Sequence, residues 1–564
     1  MSEAAASREA AIYFQPDGYV PQRSQLGGRQ IAGHGFLTSF LRTHRGTTID
    51  VYAEQPGYMP ALESLVAETL GGGPAPLPAL RRIADARDPA LARAGTLYVP
   101  GPSRLPTIAW RRRRIGAQAF SLCGVAHSIS APRMHDAIGE LLIAPLAEWD
   151  ALVCTSVAVR DAITRILDGY EAYLRERLHA QSPVKRPRLP IIPLGVDWLS
   201  RDPATATSIG ARRDWRARLG IADSEFALIF VGRLSLHEKA NPAPLFLALR
   251  EAVRGVPGRL HLILAGWFAS QSVETAFRDA ATQFCPDVIL HVVDARAPRD
   301  GATIWYAGDA FCSLSDTVQE TFGLTPVEAM ASGLPVIVTD WNGYRDTVLH
   351  GETGFLVPTW TPPNGAGSVI AEAIEDGRAS DDVLHGLTSL MTSFDIDACA
   401  KAVQALATQP ALRQRMANSA RRHSRAYDWG TVLGRYRTLW EELAALRATA
   451  SPHPARAASH PLRQDPFRVF AGYPTWRIGP YTWLRLSPAC NADRTMVAEL
   501  RAAVFLAPAL SFDAMAQAIL AGLEAGPSTA ENLRVAIRAA DHAHFYRMLA
   551  WLTKFGLVLA EPRA

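Results

Sequence analysis

Two glutamates, Glu320 and Glu328, stand eight positions apart around the stretch Thr321-Phe322-Gly323-Leu324-Thr325-Pro326-Val327. Thr325 suits a helix N-cap, Pro326 the first helical position, and Glu328 the third residue of a capping box. Gly333 suits the helix end and Pro335 blocks its continuation. The run Val336-Ile337-Val338 then reads as a buried strand. A loop carrying Glu320 and Gly323 therefore feeds a short helix whose first N–H groups lack intrahelical partners. Such an end attracts an anion, and Gly323 removes the side chain that would block its approach. Taken singly, Glu328 is as readily a capping partner, and Glu320 a solvated loop carboxylate.

A second charged pair lies upstream. Phe226 to Val231 reads as a strand ending at Gly232, and Arg233 and Lys239 follow it. A guanidinium and an ammonium at the carboxyl end of a strand make a diphosphate clamp, one forked, the other a compact charge. Lysine is scarce in this chain, confined to Lys185, Lys239, Lys401 and Lys554, so the placing of Lys239 is informative. Phe120 to His127 reads as a further strand ending in a histidine. A lone histidine is commonly structural, but the carboxyl end of a parallel strand is where open α/β sheets bind ligands.

The Glu320–Glu328 stretch resembles the E-x7-E motif of retaining GT-B glycosyltransferases, in particular family 4. The resemblance extends through Glu-Ala-Met-Ala-Ser-Gly-Leu-Pro (Glu328–Pro335) and Gly351–Pro358. It implies an α/β fold of GT-B type: two Rossmann-like lobes with an interlobe cleft. It implies a nucleotide diphosphate sugar as co-substrate, with no metal and no other cofactor, and transfer with retention to a glycan, lipid-linked or small-molecule acceptor, as in polysaccharide biosynthesis. Arg233 and Lys239 would hold the diphosphate with the amides of Phe322, Gly323 and Leu324. Glu320 would hold sugar hydroxyls, Glu328 the ribose, and His127 the donor sugar from the other lobe. A Gly-rich loop is placed by the family at Gly27-Gly28, although a glycine pair alone is more simply a turn. Departures are one extra residue between Arg233 and Lys239, Leu194 in place of an asparagine, and Thr339–Tyr344 in place of a small Gly-rich turn. Ser315-Asp316 is not a metal-binding Asp-x-Asp pair.

The positioning elements can be read around these residues. Strands are expected at Ala11–Phe14, Ile49–Tyr52, Gly95–Val99, Trp149–Ser156, His261–Gly266, Val288–Val293 and Ala310–Asp316. Helices are expected at about Gln30–Leu41, from Val157, and at Ile396–Ala407, Pro410–Tyr427 and Trp429–Leu446. The expected domains are an acceptor lobe (residues 1–205), a donor-nucleotide lobe (206–428), a crossing helix and linker (429–460) and an accessory module (461–564). The module carries an aromatic stretch at Asp465–Leu486, then helical patterns at Arg494–Phe505, Phe512–Leu523, Ala530–Ala540 and Phe545–Phe555. A final helix–Gly–strand suggests a mostly helical, winged-helix-like bundle.

Composition bounds the rest. A chain of 564 residues exceeds one core and implies about three domains. A net charge of +4 does not argue for nucleic acid, and the module's 11 Lys and Arg against 8 Asp and Glu are too balanced for it. Protein contacts, such as homo-oligomerisation through the module, suit it better. The basic cluster Trp110–Arg114 is a solvated helix face, or else a site for an anionic acceptor or membrane surface. The six scattered cysteines read as reduced core residues of a cytoplasmic protein. Met1–Ala10 does not resemble a signal peptide, and no apolar run is long enough to span a bilayer. Membrane contact would therefore be peripheral, at the inner face. The competing classes are a non-catalytic GT-B scaffold with a binding module, and a GT-B epimerase or phosphorylase.

Overall fold

The computed structural model describes residues 9–21, 28–73, 76–179, 184–451, 460–490 and 513–561. They fall into two compact units, Met1–His460 and Pro461–Ala564.

The first unit holds two parallel six-stranded sheets. One comprises β1 (Ala11–Tyr13), β2 (Thr48–Tyr52), β3 (Ala79–Ile83), β4 (Thr96–Val99), β5 (Ser121–Ala126) and β6 (Ala151–Cys154), ordered β3-β2-β1-β4-β5-β6. The other comprises β7 (Phe226–Val231), β8 (Leu260–Ala265), β9 (Val288–Val293), β10 (Ala310–Ser313), β11 (Val336–Thr339) and β12 (Gly354–Val357), ordered β12-β11-β10-β7-β8-β9. Both sheets have the doubly wound order, with the strand sequence reversing between β1 and β4 and between β7 and β10. Ligand crevices open at such switch points. Central strands are apolar runs because helices cover both sheet faces: β5, β8, β10 and β11 are buried throughout. Two Rossmann-like lobes of this kind constitute the GT-B fold.

Strand β3, not anticipated from the sequence, is an edge strand of composition Ala-Leu-Arg-Arg-Ile, buried only at Ile83. Arg81 pairs there with Asp50 of β2, 2.7 Å in its longer contact. Edge position explains the polar composition that hides the strand from an apolar-run reading.

The basic cluster is also not one surface. Arg112 is wholly buried and forms a forked ion pair with Asp150 (Nη2–Oδ2 2.8 Å), while donating to the Phe120 carbonyl. Arg111 turns to Glu54 and to the Tyr52 hydroxyl. Arg113 lies over the Trp110 ring. Two members of the cluster thus pair with acidic residues of the lobe, Arg112 in its core and Arg111 partly exposed, while Arg114 is exposed.

The helix Trp429–Thr449 leaves the second lobe and packs on the first. Its buried Trp429, Leu433, Tyr436, Trp440 and Leu443 join the cluster of Phe36, Phe40 and Tyr98. Phe36 and Tyr98 stack at 4.1 Å, and Tyr436 meets Phe36 edge-on at 5.3 Å. At its start the two interlobe passages run side by side: Val196 donates to the Tyr427 carbonyl (2.8 Å), and Trp429 donates to the Val196 carbonyl (3.2 Å). The Trp429 indole fills the space over Gly35 and Gly195, where a β-carbon on either would run into the ring.

In the second unit β13 (Trp483–Leu486) pairs antiparallel with β14 (Ser528–Thr529) and β15 (Val558–Glu561). The helices Ala514–Glu524, Ala530–Ala536 and His542–Lys554 pack around Leu484, Leu520, Phe545, Leu549 and Leu552. The last helix leads through Gly556, at φ +69°, into β15. The helix expected at Arg494–Phe505 lies outside the described residues. In the aromatic stretch Phe467, Tyr473, Trp476 and Tyr481 are exposed. No described helix is long and apolar enough to cross a membrane.

Candidate functional site

The site is built at the carboxyl ends of β5, β7 and β10. The short helix after β10 runs Leu324–Ala331. Its cap is Gly323, at φ +89°, and the capping box expected at Thr325 does not form. Leu324 is already helical, so Thr325 and Pro326 fall two positions deeper. The need for glycine at 323 has a different cause from the one expected. Its left-handed backbone disfavours any side chain, and a β-carbon there would strike the Tyr344 ring. The first N–H groups of this helix, from Leu324 and Thr325, have no intrahelical acceptor, and Pro326 has no N–H to offer.

Glu320 is nearly buried (11% exposed) and accepts from Lys239 Nζ at 3.2 Å. Its Oε1 also accepts from the Thr321 amide at 3.2 Å. Burial alone would push this carboxyl up. The Lys239 ammonium, by charge and hydrogen bond, and the amides of Thr321 and Phe322 outweigh burial and hold it below the usual range. The Phe322 amide is therefore engaged by Glu320 itself, and its side chain is buried in the core. Leu324 is half-buried in the same region.

Arg233 and Lys239 line one crevice together with Ser235 and Asn241. Arg233 is held by Glu238, Nη1 to Oε2 at 2.8 Å, a partner that the sequence pattern did not single out. Asn241 caps the helix Pro242–Val253, and its amide donates to Asp316 at 3.1 Å. Asp316, nearly inaccessible, also accepts from Ser389 at 2.8 Å. Burial raises its carboxyl to about 6. Its partners are thus an amide and a hydroxyl.

His127 enters from the first lobe. Neither ring nitrogen has a partner, and both are shut from water. Burial, aided by the charge of Arg29, lowers its imidazole to about 4, so the ring is neutral at pH 7. Its carbonyl accepts from Thr321 Oγ1 at 2.6 Å, which fixes His127 next to the Glu320 loop. More bonds cross between the lobes here. Ser156 donates to the Thr321 carbonyl (2.8 Å), Asp346 accepts from the Val157 amide (2.6 Å), and Ser130 meets His385 Nε2 (2.8 Å). Asp346 thereby places a carboxylate at the N-terminus of the helix Val157–Leu178, where a negative charge is favoured.

Glu328 lies apart from this group. Its Oε1 accepts from Arg201 Nη2 at 2.6 Å. Gly28 opens the helix Gly28–Thr43 and is exposed, while Gly27 lies outside the described residues. The structure thus joins Glu320, Lys239, Thr321 and His127 directly. Arg233 lies beside them, engaged by Glu238, and Glu328 stands further along its helix with Arg201. Thr321, Ser156, Asp346 and Arg201 were not read from the sequence. Their partners lie far away in the chain and no local spacing marks them.

Part of the chain is similar to known proteins. Residues 211–383 match the family model described as Glycosyl transferases group 1. The chain is 29% identical over 239 residues to a D-inositol 3-phosphate glycosyltransferase of Kribbella flavida, covering 41% of this chain and 47% of that protein. It is 30% identical over 248 residues to the protein of the same name from Kineococcus radiotolerans, covering 40% and 54%. The chain thus spans about half the length of these relatives. The crystal structure of Anabaena HepE in complex with UDP and glucose is 16% identical and covers 77% of this chain and 100% of its own, with a TM-score of 0.46. The stretch matched by the glycosyl transferases group 1 model, residues 211–383, takes in the greater part of the second lobe with its glutamate loop and cationic pair.

Proposed function

We propose that the chain is a retaining glycosyltransferase that moves a sugar from a nucleoside diphosphate sugar to a hydroxylated acceptor, without a metal. The observation that carries this reading is the Glu320–Lys239 pair, whose lysine lines a crevice with Arg233 and whose glutamate loop is tied through Thr321 to His127. The bond to be broken joins the anomeric carbon to a phosphate oxygen, and its electrons go to the diphosphate. Lys239, Arg233 and the amides at the start of the helix Leu324–Ala331 stabilise that growing negative charge. Glu320 balances the positive charge on the sugar ring, and neutral His127 accepts from or donates to a sugar hydroxyl. Glu328 offers its free oxygen to the ribose.

Retention through a covalent intermediate would need a carboxylate nucleophile at the anomeric carbon. Glu320 is held by Lys239 and two amides, which lower its nucleophilicity. An attack by the acceptor on the departing face, with its proton passing to the leaving phosphate oxygen, fits these residues better. The acceptor class is a glycan, a lipid-linked or a small molecule. The name shared by the relatives, D-inositol 3-phosphate glycosyltransferase, makes an inositol phosphate the first acceptor to try.

The test is a panel of sugar nucleotides, scored by rise in melting temperature and by nucleotide release with and without acceptor. One donor should stabilise the protein and be consumed, with the product keeping the donor's anomeric configuration. Silence across the panel, with salt-sensitive binding of duplex DNA, would replace this reading with a scaffold role.

A further inference from the structure

The pairing of Arg201 with Glu328 has no part in the chemistry above. Arg201 ends the short 3-10 turn Leu199–Arg201, just beyond the passage into the second lobe. Its Nη2 donates to Glu328 Oε1 at 2.6 Å, and its guanidinium lies 5.1 Å over the Trp305 ring. Its Nη1 is shut from water without a partner. Both side chains are mostly buried, 18% and 19% exposed. The same turn is pinned from its other side by Arg421. That residue stacks on Trp198 at 3.5 Å and donates to the Trp198 carbonyl (2.9 Å) and to the Ala331 carbonyl. The turn therefore holds the helix Leu324–Ala331 at its Glu328 side chain through Arg201, while Arg421, from the helix Pro410–Ser424, ties the turn to that helix's last carbonyl.

A buried guanidinium with an unpaired nitrogen costs stability, so its retention calls for an explanation other than folding. A carboxylate of Glu on a helix is otherwise free to rotate. With Oε1 held by Arg201, one oxygen, Oε2, is left to accept, and its direction is set. A planar, stacked guanidinium fixes that direction in a way a lysine ammonium does not.

We infer that Arg201 is a positioning residue that aims Glu328 Oε2 at the ribose hydroxyls of the nucleotide and so sets the preference for ribo- over deoxyribonucleotides. This rests on the reading that Glu328 faces the donor nucleotide. Arg201 touches neither the sugar nor the reacting atoms, so its loss acts on donor affinity and leaves the chemical step alone.

The experiment uses the full chain and titration calorimetry with UDP, GDP and ADP, taking the tightest binder together with its 2′-deoxy and 3′-deoxy analogues. A charge-assisted hydrogen bond is worth about tenfold in affinity, so the wild type should prefer the ribonucleotide by about tenfold over at least one analogue. In Arg201→Met that preference should fall to about twofold or less. The donor KM should rise about five- to tenfold with kcat within about twofold. Arg201→Lys should keep the fold, as its circular dichroism and melting point will report, yet recover little of the preference. A preference that survives intact in both folded variants overturns the inference and leaves the proposed function standing. A wild type that binds a nucleoside diphosphate with no preference for ribose overturns it together with the role of Glu328. A wild type that binds none of the three overturns the donor-site reading itself.

Discussion

Lys239→Met separates the two jobs of the cation beside Glu320. The ammonium sits 3.2 Å from a carboxylate that is 11% exposed, while the lysine itself is 38% exposed. Two unit charges about 4 Å apart attract by about 4 kcal/mol at an effective dielectric near 20. Solvent reaches the lysine, so a discount to about 1–2 kcal/mol is appropriate. Methionine keeps the stem and removes the charge. In the wild type the Glu320 pKa is held below its unfolded value, so the carboxylate adds stability above the ordinary glutamate range and loses it as pH falls. In the variant burial acts without its main opponent, and a buried carboxylate becomes a liability that grows as pH rises. The gap in stability between the two proteins should therefore be small near pH 4 and widen to about 1–2 kcal/mol by pH 7. Urea unfolding from pH 4 to 8 reads it directly. Turnover of the donor at pH 7 should drop by about 10²–10³, since the cation stabilises the departing diphosphate. A gap independent of pH would refute the electrostatic account of the pair. Full turnover would refute the assignment of Lys239 to the leaving group.

Three further outcomes follow from the structure. Arg112→Met strands the Asp150 carboxylate in the first-lobe core and should destabilise by about 3–5 kcal/mol, seen in urea or thermal unfolding. Gly195→Ala should destabilise by about 1–3 kcal/mol by driving a methyl into the Trp429 indole, and combining it with Trp429→Leu should cost less than the sum of the two single changes, which a double-mutant cycle measures. The His127 imidazole should stay neutral from pH 8 to pH 5 in an NMR titration. Because its folded pKa of about 4 lies below the unfolded value near 6.5, its contribution to stability should decline between those two pH values, and His127→Gln should flatten that decline.

Most of the scaffold could be read in the chain because parallel strands covered on both faces are apolar runs. Leu260–Ala265 and Val336–Thr339 are examples, each buried throughout. Edge position defeated the same logic at Ala79–Ile83, whose Arg81 pairs with Asp50 while Arg82 donates to the carbonyls of Ala53 and Glu54. The sequence places the start of the helix after Gly323 two residues late, because the Thr-x-x-Glu pattern is a plausible cap wherever it occurs. In the fold the left-handed glycine takes that place, and Glu328 has gone to Arg201, 127 positions away. Arg111 and Arg112 show the same limit. Adjacent like charges suggest a common surface, but their helix sends one into the core and the other to a strand across the lobe. Local spacing reports local chemistry well. It is silent on pairings made only when distant segments meet.

The indole seated over Gly35 and Gly195 bears on how the molecule can move. The chain passes between the lobes twice, and at Val196 and Asp428 those passages lie in register as a short parallel bridge. Any swing of one lobe against the other must twist both strands of that bridge by the same amount. With a rigid ring wedged against the bare backbone beside it, there is no slack for translation, and rotation about this spot is the motion left. Residues near the pivot then travel little, while contacts between the lobes away from it, such as that of Ser130 with His385, travel further. A fluorophore pair placed at that contact would register opening at the larger amplitude, and one placed beside Trp429 would register almost none.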